Sequence, residues 1–282
     1  MFRKLFAPIL GMRSDAQTLS LAAEIGTYFH AHIDVGVRSQ DANETGPGSI
    51  PPSPVGAPLD PPLGEETPID SAIVESLERW RRRFRLRPGS ADRRAGLPSA
   101  SWSSVSGPER AIAHRAIYAD LTCLAVDRDR VAEISAIVQP ILFSSGRPLL
   151  LVPTTGADVP PILGEPIVIG WNGTAEAVHA ITSALPILEI SPKTDIISIG
   201  EEAVNAIDAY ALASYLSHRR IRADASGIAK KDWTGGDVID AAVARGARLL
   251  VMGAHVRADE RRFGNATRHM LEHIPIPVIM AS

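Results

Sequence analysis

The chain has 282 residues, of which 45% are apolar and 22% are charged, and its formal net charge is −3. These values are typical of a soluble globular protein with one large or two ordinary domains. The slight negative charge argues against nucleic acid and membrane surfaces as partners. No apolar run reaches the roughly 18 residues that a transmembrane helix requires.

The only cysteine, Cys123, lies in an apolar run at 121–126. A single thiol excludes an internal disulfide framework and is typical of a reducing compartment. With no basic neighbour to lower its pKa, Cys123 is interpreted as a packing residue. The short apolar stretch near the start is broken by Pro8 and predicts a first strand, not a signal peptide. We therefore expect a cytoplasmic protein.

The first residues predict a strand–helix–strand unit, which builds parallel sheets. A buried strand is expected at 4–10, a helix follows from Ser14 as its N-cap, and a second strand is expected at 30–37. Residues 41–69 are rich in proline and glycine and predict an irregular insertion. Helical periodicity returns at 69–86.

The helix at 69–86 and the residues after it carry arginines at 79, 81, 82, 83, 85 and 87. These arginines have two interpretations, a face that binds phosphate or nucleic acid and a face that is only solvated. The acidic balance of the whole chain favours the solvated face.

The remaining elements alternate between strands and helices in both halves of the chain. In the first half, strands are predicted at 99–106, 121–126 and 148–152, and helices at 108–119 and 131–143. After a Pro/Gly linker at 153–164, strands are predicted at 167–169, 195–199, 221–228, 249–252 and 277–280, and helices at 176–188, 206–218 and 238–244. This duplication predicts two doubly wound α/β domains with parallel five-stranded sheets, at 1–153 and 165–282.

The closing stretch, 248–282, runs from a buried strand into glycines at a helix start. Gly253 follows the strand, and Gly264-Asn265-Ala266-Thr267 precedes the helix. Bare backbone N–H groups and the helix dipole make such a start an anion site. Arg257 lies in the intervening loop and would add positive charge.

Blocks of residues in both halves resemble the universal stress protein family, in its tandem two-domain bacterial form. They are Asn172-Gly173-Thr174, SSGRPLLLVP at 144–153, and VMGAH with FGNATRHMLEHIPIPVIM in the closing stretch. The resemblance implies an α/β fold in which nucleotide-binding members hold ATP at the carboxyl edge of the sheet. It also implies a glycine-rich phosphate loop and an aspartate at the end of the first strand.

Mapped onto this chain, the resemblance implies an ATP site in the C-terminal domain. Its residues would be Asn172, Gly173, Thr174, Gly253, His255, Arg257, Gly264, Asn265, Ala266 and Thr267. The chain departs from the family pattern at three points. Val256 stands at the second glycine, Gly264 follows Gly253 at a shorter spacing, and the uncharged Asn172 replaces the aspartate.

The N-terminal copy of this site lacks the matching residues. Leu10 stands at the aspartate position, Ala125 replaces the first glycine, and Asp127 and Asp129 follow. Their carboxylates would repel phosphate. We therefore expect no ATP in this domain.

The expected function is that of a stress-response binding or regulatory protein that binds ATP or another adenine nucleotide in its C-terminal domain only. A non-binding interaction protein with both sites decayed remains an alternative, and a weak ATPase is a further one. No catalytic residue is assigned, and no metal is expected beyond a Mg²⁺ that accompanies a nucleotide. His269 and His273 have metal-site spacing but are interpreted as a surface pair. The resemblance also implies pairing of the two domains through their last strands, with a homodimer as a further assembly.

Overall fold

The computed structural model describes residues 1–39, 67–89, 96–154, 161–200, 204–254, 271 and 274–282. The chain divides into two compact units, Met1–Leu149 and Leu150–Ser282. Helices and strands alternate through both units, and every described strand pairing is parallel. The predicted α/β class with parallel sheets is confirmed.

The first unit contains the following elements in chain order: β1 (Lys4–Ile9), α1 (Asp15–Phe29), β2 (His32–Arg38), α2 (Ser71–Arg83), β3 (Arg87–Pro88), β4 (Ser99–Val105), α3 (Glu109–Ala116), β5 (Leu121–Val126) and α4 (Val131–Ser144). Its strand order is β3-β4-β2-β1-β5. β6 (Leu149–Pro153) begins at the boundary between the units.

The second unit continues with β7 (Ile167–Gly170), α5 (Ala175–Leu188), β8 (Thr194–Gly200), α6 (Val204–Ser217), β9 (Ala223–Ala229), α7 (Gly235–Ala244), β10 (Leu249–Gly253) and β11 (Val278–Ala281). Its strand order is β11-β10-β7-β8-β9. The chain thus leaves β7 in one direction along the sheet and returns to place β10 on the other side of β7.

The central strands are buried on both faces, because helices cover both sides of a parallel sheet. All six residues of β5 are buried, including Cys123, which packs in the core as expected. Burial raises the pKa of the Cys123 thiol. The continuous apolar run at 121–126, which predicted a buried strand, forms β5.

The helix starts differ from expectation in detail. Ser14 precedes α1, but its side chain makes no capping bond; the neighbouring Asp15 carboxylate accepts loop N–H groups instead. α2 begins later than predicted because Asp70 caps it, accepting from Ala72 N at 2.7 Å. Pro108 lies just before α3, outside its first turn.

The insertion predicted at 41–69 falls mostly on 40–66, outside the described residues.

Candidate functional site

In the second unit, the carboxyl ends of β7 and β10 lie side by side. The two strands pair in parallel, with Leu249 opposite Ile167 and Met252 opposite Gly170. Beyond β7 the chain proceeds to β8 and β9, whereas beyond β10 it proceeds to β11 on the opposite side. This is a topological switch point, where loops diverge and open α/β sheets bind their ligands. The structure brings Asn172, Gly173, Thr174 and Gly253 of the predicted site to this place.

The loop from β7 to α5 is ordered by its own side chains. Asn172 Oδ1 accepts from Thr174 N at 3.3 Å and from Thr174 Oγ1 at 2.9 Å. Thr174 Oγ1 in turn accepts from Ala177 N at 3.3 Å and so caps the helix. Gly173 has a φ of 75°, which favours glycine. Asn172 is exposed, and its Nδ2 donor bonds no residue that the structure describes.

Gly253, at the end of β10, lies against the first turn of α5. A Cβ on Gly253 would lie 2.6 Å from the backbone N of Ala177 and 2.8 Å from the carbonyl carbon of Glu176. Because both atoms belong to backbone, they cannot move aside as a flexible side chain would. The absence of a side chain therefore lets the strand end approach the positive end of the α5 dipole.

Two further features lie near this edge, and one of them, Asp208, was not among the predicted residues. The Oδ2 atom of Asp208, on α6, lies 4.0 Å from the position that a Cβ on Gly173 would occupy. Trp171 begins the loop, and its buried Nε1 has no hydrogen-bond partner among the residues that the structure describes. Asp208 lies on a different helix and follows Asn172 by 36 residues, so local sequence patterns contain no signal for it.

The remaining predicted site residues are His255, Arg257, Gly264, Asn265, Ala266 and Thr267, and all of them lie outside the described residues. His269 and His273 lie outside them as well. These assignments stay predictions. Within the described ranges, no three His, Cys, Asp or Glu side chains gather as metal ligands. No described helix has the length and apolar character needed to cross a membrane.

The first unit has the corresponding switch point between β1 and β5, which also pair in parallel. There the Asp15 carboxylate accepts from the backbone N of Leu10 at 3.1 Å, of Gly11 at 2.8 Å and of Met12 at 3.0 Å. Burial raises the pKa of Asp15, and the three N–H donors act in the opposite direction. The loop donors that an anion would use are thus occupied by the chain's own carboxylate.

The structure has the architecture of several solved proteins along its full length. The match to a universal stress protein from Archaeoglobus fulgidus DSM 4304 has a TM-score of 0.64 at 12% identity, covering 99% of this chain and 96% of that one. The chain has the universal stress protein fold. A structure from Pseudomonas aeruginosa UCBPP-PA14, described as a candidate universal stress protein, matches with a TM-score of 0.60 at 15% identity, covering 99% and 93%.

A functionally unknown protein from P. aeruginosa PAO1 also matches along its length, with a TM-score of 0.60, 14% identity and coverage of 99% of this chain and 92% of that one. Comparison with protein-family models gives no match, and comparison with curated proteins gives none. Because these matches cover 99% of the chain, they include both of its units and are consistent with a tandem two-domain form.

Proposed function

We propose that this protein is a stress-response binding protein whose second unit binds one adenine nucleotide at the switch point between β7 and β10. The observation that carries the proposal is the convergence of Asn172, Gly173 and Gly253 at this edge of the sheet. Two of these residues follow β7 and one ends β10, so they meet only where the two paired strands end at the switch point. The single buried thiol favours a cytoplasmic location.

The exposed polar groups suit a nucleoside better than a bare phosphate at this end of the site. Asn172 Nδ2 is a donor, and the nearby Asp208 carboxylate is an acceptor for hydroxyl groups. That carboxylate would repel phosphate at close range. We therefore assign the sugar to Asn172, and the phosphates to the side of Gly253 and the predicted residues 264–267.

The first test is adenosine and ATP binding by the full chain, measured by isothermal titration calorimetry. Asn172→Leu copies the residue at position 10 and removes both the donor and the loop acceptor. We expect it to weaken both ligands by about 10-fold or more, the effect of losing one or two hydrogen bonds. Asn172→Asp keeps the acceptor for Thr174 and is expected to retain binding.

Glu189→Ala, at the opposite end of α5, is the matched control and should bind like the native chain. Equal binding by native protein and Asn172→Leu would contradict the site. An interaction protein without nucleotide is the second candidate, because packing on α5 by itself accounts for Gly253. Absence of heat with ATP, ADP, AMP and adenosine would favour that candidate.

A further inference from the structure

The first unit contains a cavity of about 820 Å³ at its own switch point, where Leu10, Gly11 and Asp15 line it. It opens beside the ends of β1 and β2 and extends between α1 and α2. Its described apolar lining includes Leu19 on α1, Ile73, Leu77 and Trp80 on α2, and Phe84 directly after α2. Trp80 holds the two helices together, since its Nε1 donates to Leu19 O at 3.0 Å. A cavity of this size and lining is typical of sites for small organic ligands.

The described charged residues that line the cavity carry one net positive charge once their ion-pair partners and Asp15 are counted. Arg38 pairs with Glu109 at 2.9 Å, and Arg130 pairs with Glu133. The Asp15 carboxylate is directed at three loop N–H groups. Arg79 and Arg83 also line the cavity, and neither forms an ion pair with a residue that the structure describes. Two guanidinium groups thus remain without an ion-pair partner among the described residues, and that of Arg83 lies over the Phe84 ring at 5.5 Å from its centroid.

These two arginines divide the basic residues of α2 into two sets. Arg81 and Arg82 pair with Glu78, and Arg81 also donates to Leu86 O at 3.0 Å, so they serve the helix itself. Arg79 and Arg83, four residues apart, share one helix face with the apolar lining. Both side chains are exposed, so a role in binding and the solvated-face interpretation both remain open for these two.

We propose that this cavity binds an amphipathic carboxylate, with its apolar chain between α1 and α2 and its carboxylate at Arg79 and Arg83. Guanidinium groups bind carboxylates with paired N–H donors, and the apolar walls remove the chain from water. A polyphosphate fits less well, because the β1–α1 loop donors are already used and the one net positive charge of the lining matches a single carboxylate.

The test uses the full chain and decanoate as the probe, with decan-1-ol and decylamine as matched uncharged and cationic chains. Calorimetry should show decanoate binding with one equivalent per chain, and weaker binding of the alcohol and the amine. The Arg79→Ala/Arg83→Ala double variant should weaken decanoate by about 5- to 10-fold, as expected for solvent-exposed ion pairs, and leave decan-1-ol unchanged. The Arg82→Ala/Arg87→Ala double variant is the charge-matched control.

Ser76→Phe tests the apolar part, because Ser76 is exposed and lines the cavity. It should block both decanoate and decan-1-ol while thermal unfolding followed by circular dichroism stays native-like. Three outcomes overturn the proposal: no decanoate binding at millimolar concentration, equal loss in both double variants, or displacement of decanoate by ATP. None of them bears on nucleotide binding at Asn172, which the variants at that position test separately.

Discussion

At the scale of single residues, His32 is the clearest case of a polar side chain whose environment follows from strand register. It lies on β2 directly opposite Ser99 of β4. Its Nδ1 lies 2.9 Å from Ser99 Oγ and its Nε2 lies 3.0 Å from Ser101 Oγ. Burial lowers the pKa of His32, and the nearby charge of Lys4 lowers it further. The charge of Asp34 acts in the opposite direction. The imidazole is therefore held in its neutral form.

This environment predicts the sign of one pH dependence. Because the folded pKa of His32 lies below its ordinary value of about 6.5, the unfolded chain binds a proton first as pH falls. The contribution of neutral His32 to the free energy of unfolding is therefore fully present at pH values above the ordinary pKa of histidine. It is lost as the pH falls from that value through the lower pKa of His32 in the folded chain. In urea denaturation from pH 8 to pH 5, native protein should lose more unfolding free energy than His32→Gln. A parallel pH dependence in both proteins would contradict this assignment.

The residue scale also shows what sequence reasoning can and cannot reach. The Asn172-Gly173-Thr174 turn was predicted as part of a site, and the structure places it at a switch point. The role of Asp15 was not predicted, because its three N–H donors belong to the preceding loop, whose path is set by β1 and α1 together. Local patterns identify such a carboxylate as a helix-start residue and do not show what it binds.

At the scale of elements, the contact between β10 and α5 depends on Gly253. The close approach of the strand end to two backbone atoms of α5 leaves no room for a methyl group. The helix, strand and loop that form the candidate site are therefore held by packing, whatever ligand binds there.

Gly253→Ala should lower the free energy of unfolding by about 1–3 kcal/mol, the usual cost of overpacking. Urea denaturation without nucleotide measures it, with Val243→Ala, an exposed change on α7, as the control expected to change stability little. An unchanged stability together with lost ATP binding would show instead that Gly253 serves only the ligand.

At the scale of the whole molecule, the order β4-β2-β1-β5 in the first unit is repeated as β9-β8-β7-β10 in the second. The two units differ at their switch points. In the first unit a carboxylate fills the loop that corresponds to the β7–α5 loop. In the second unit the corresponding loop carries the exposed Asn172 and leaves its Nδ2 donor without a partner among the described residues. The two switch points therefore present different chemical groups.

This asymmetry predicts one adenine nucleotide per chain. Nucleotide released on denaturation of natively purified protein, or calorimetric titration with ATP, would measure the ratio of nucleotide to protein. Two equivalents per chain would contradict the assignment of the first unit. Asn172→Leu should reduce the ratio at subsaturating ATP, whereas Ser76→Phe in the first unit should leave it unchanged.

The sequence by itself determined the alternation of strands and helices, the duplication and the parallel sheets. Apolar runs, periodicity and turn residues are local signals, so they are readable along the chain. The tertiary structure alone decided which residues share an edge or a cavity. The pairing of β7 with β10, the position of Asp208 beside Gly173, and the separation of Arg79 and Arg83 from the other arginines depend on contacts between distant segments. Such contacts arise only when the sheet and its helices are assembled, because packing and not local preference sets them.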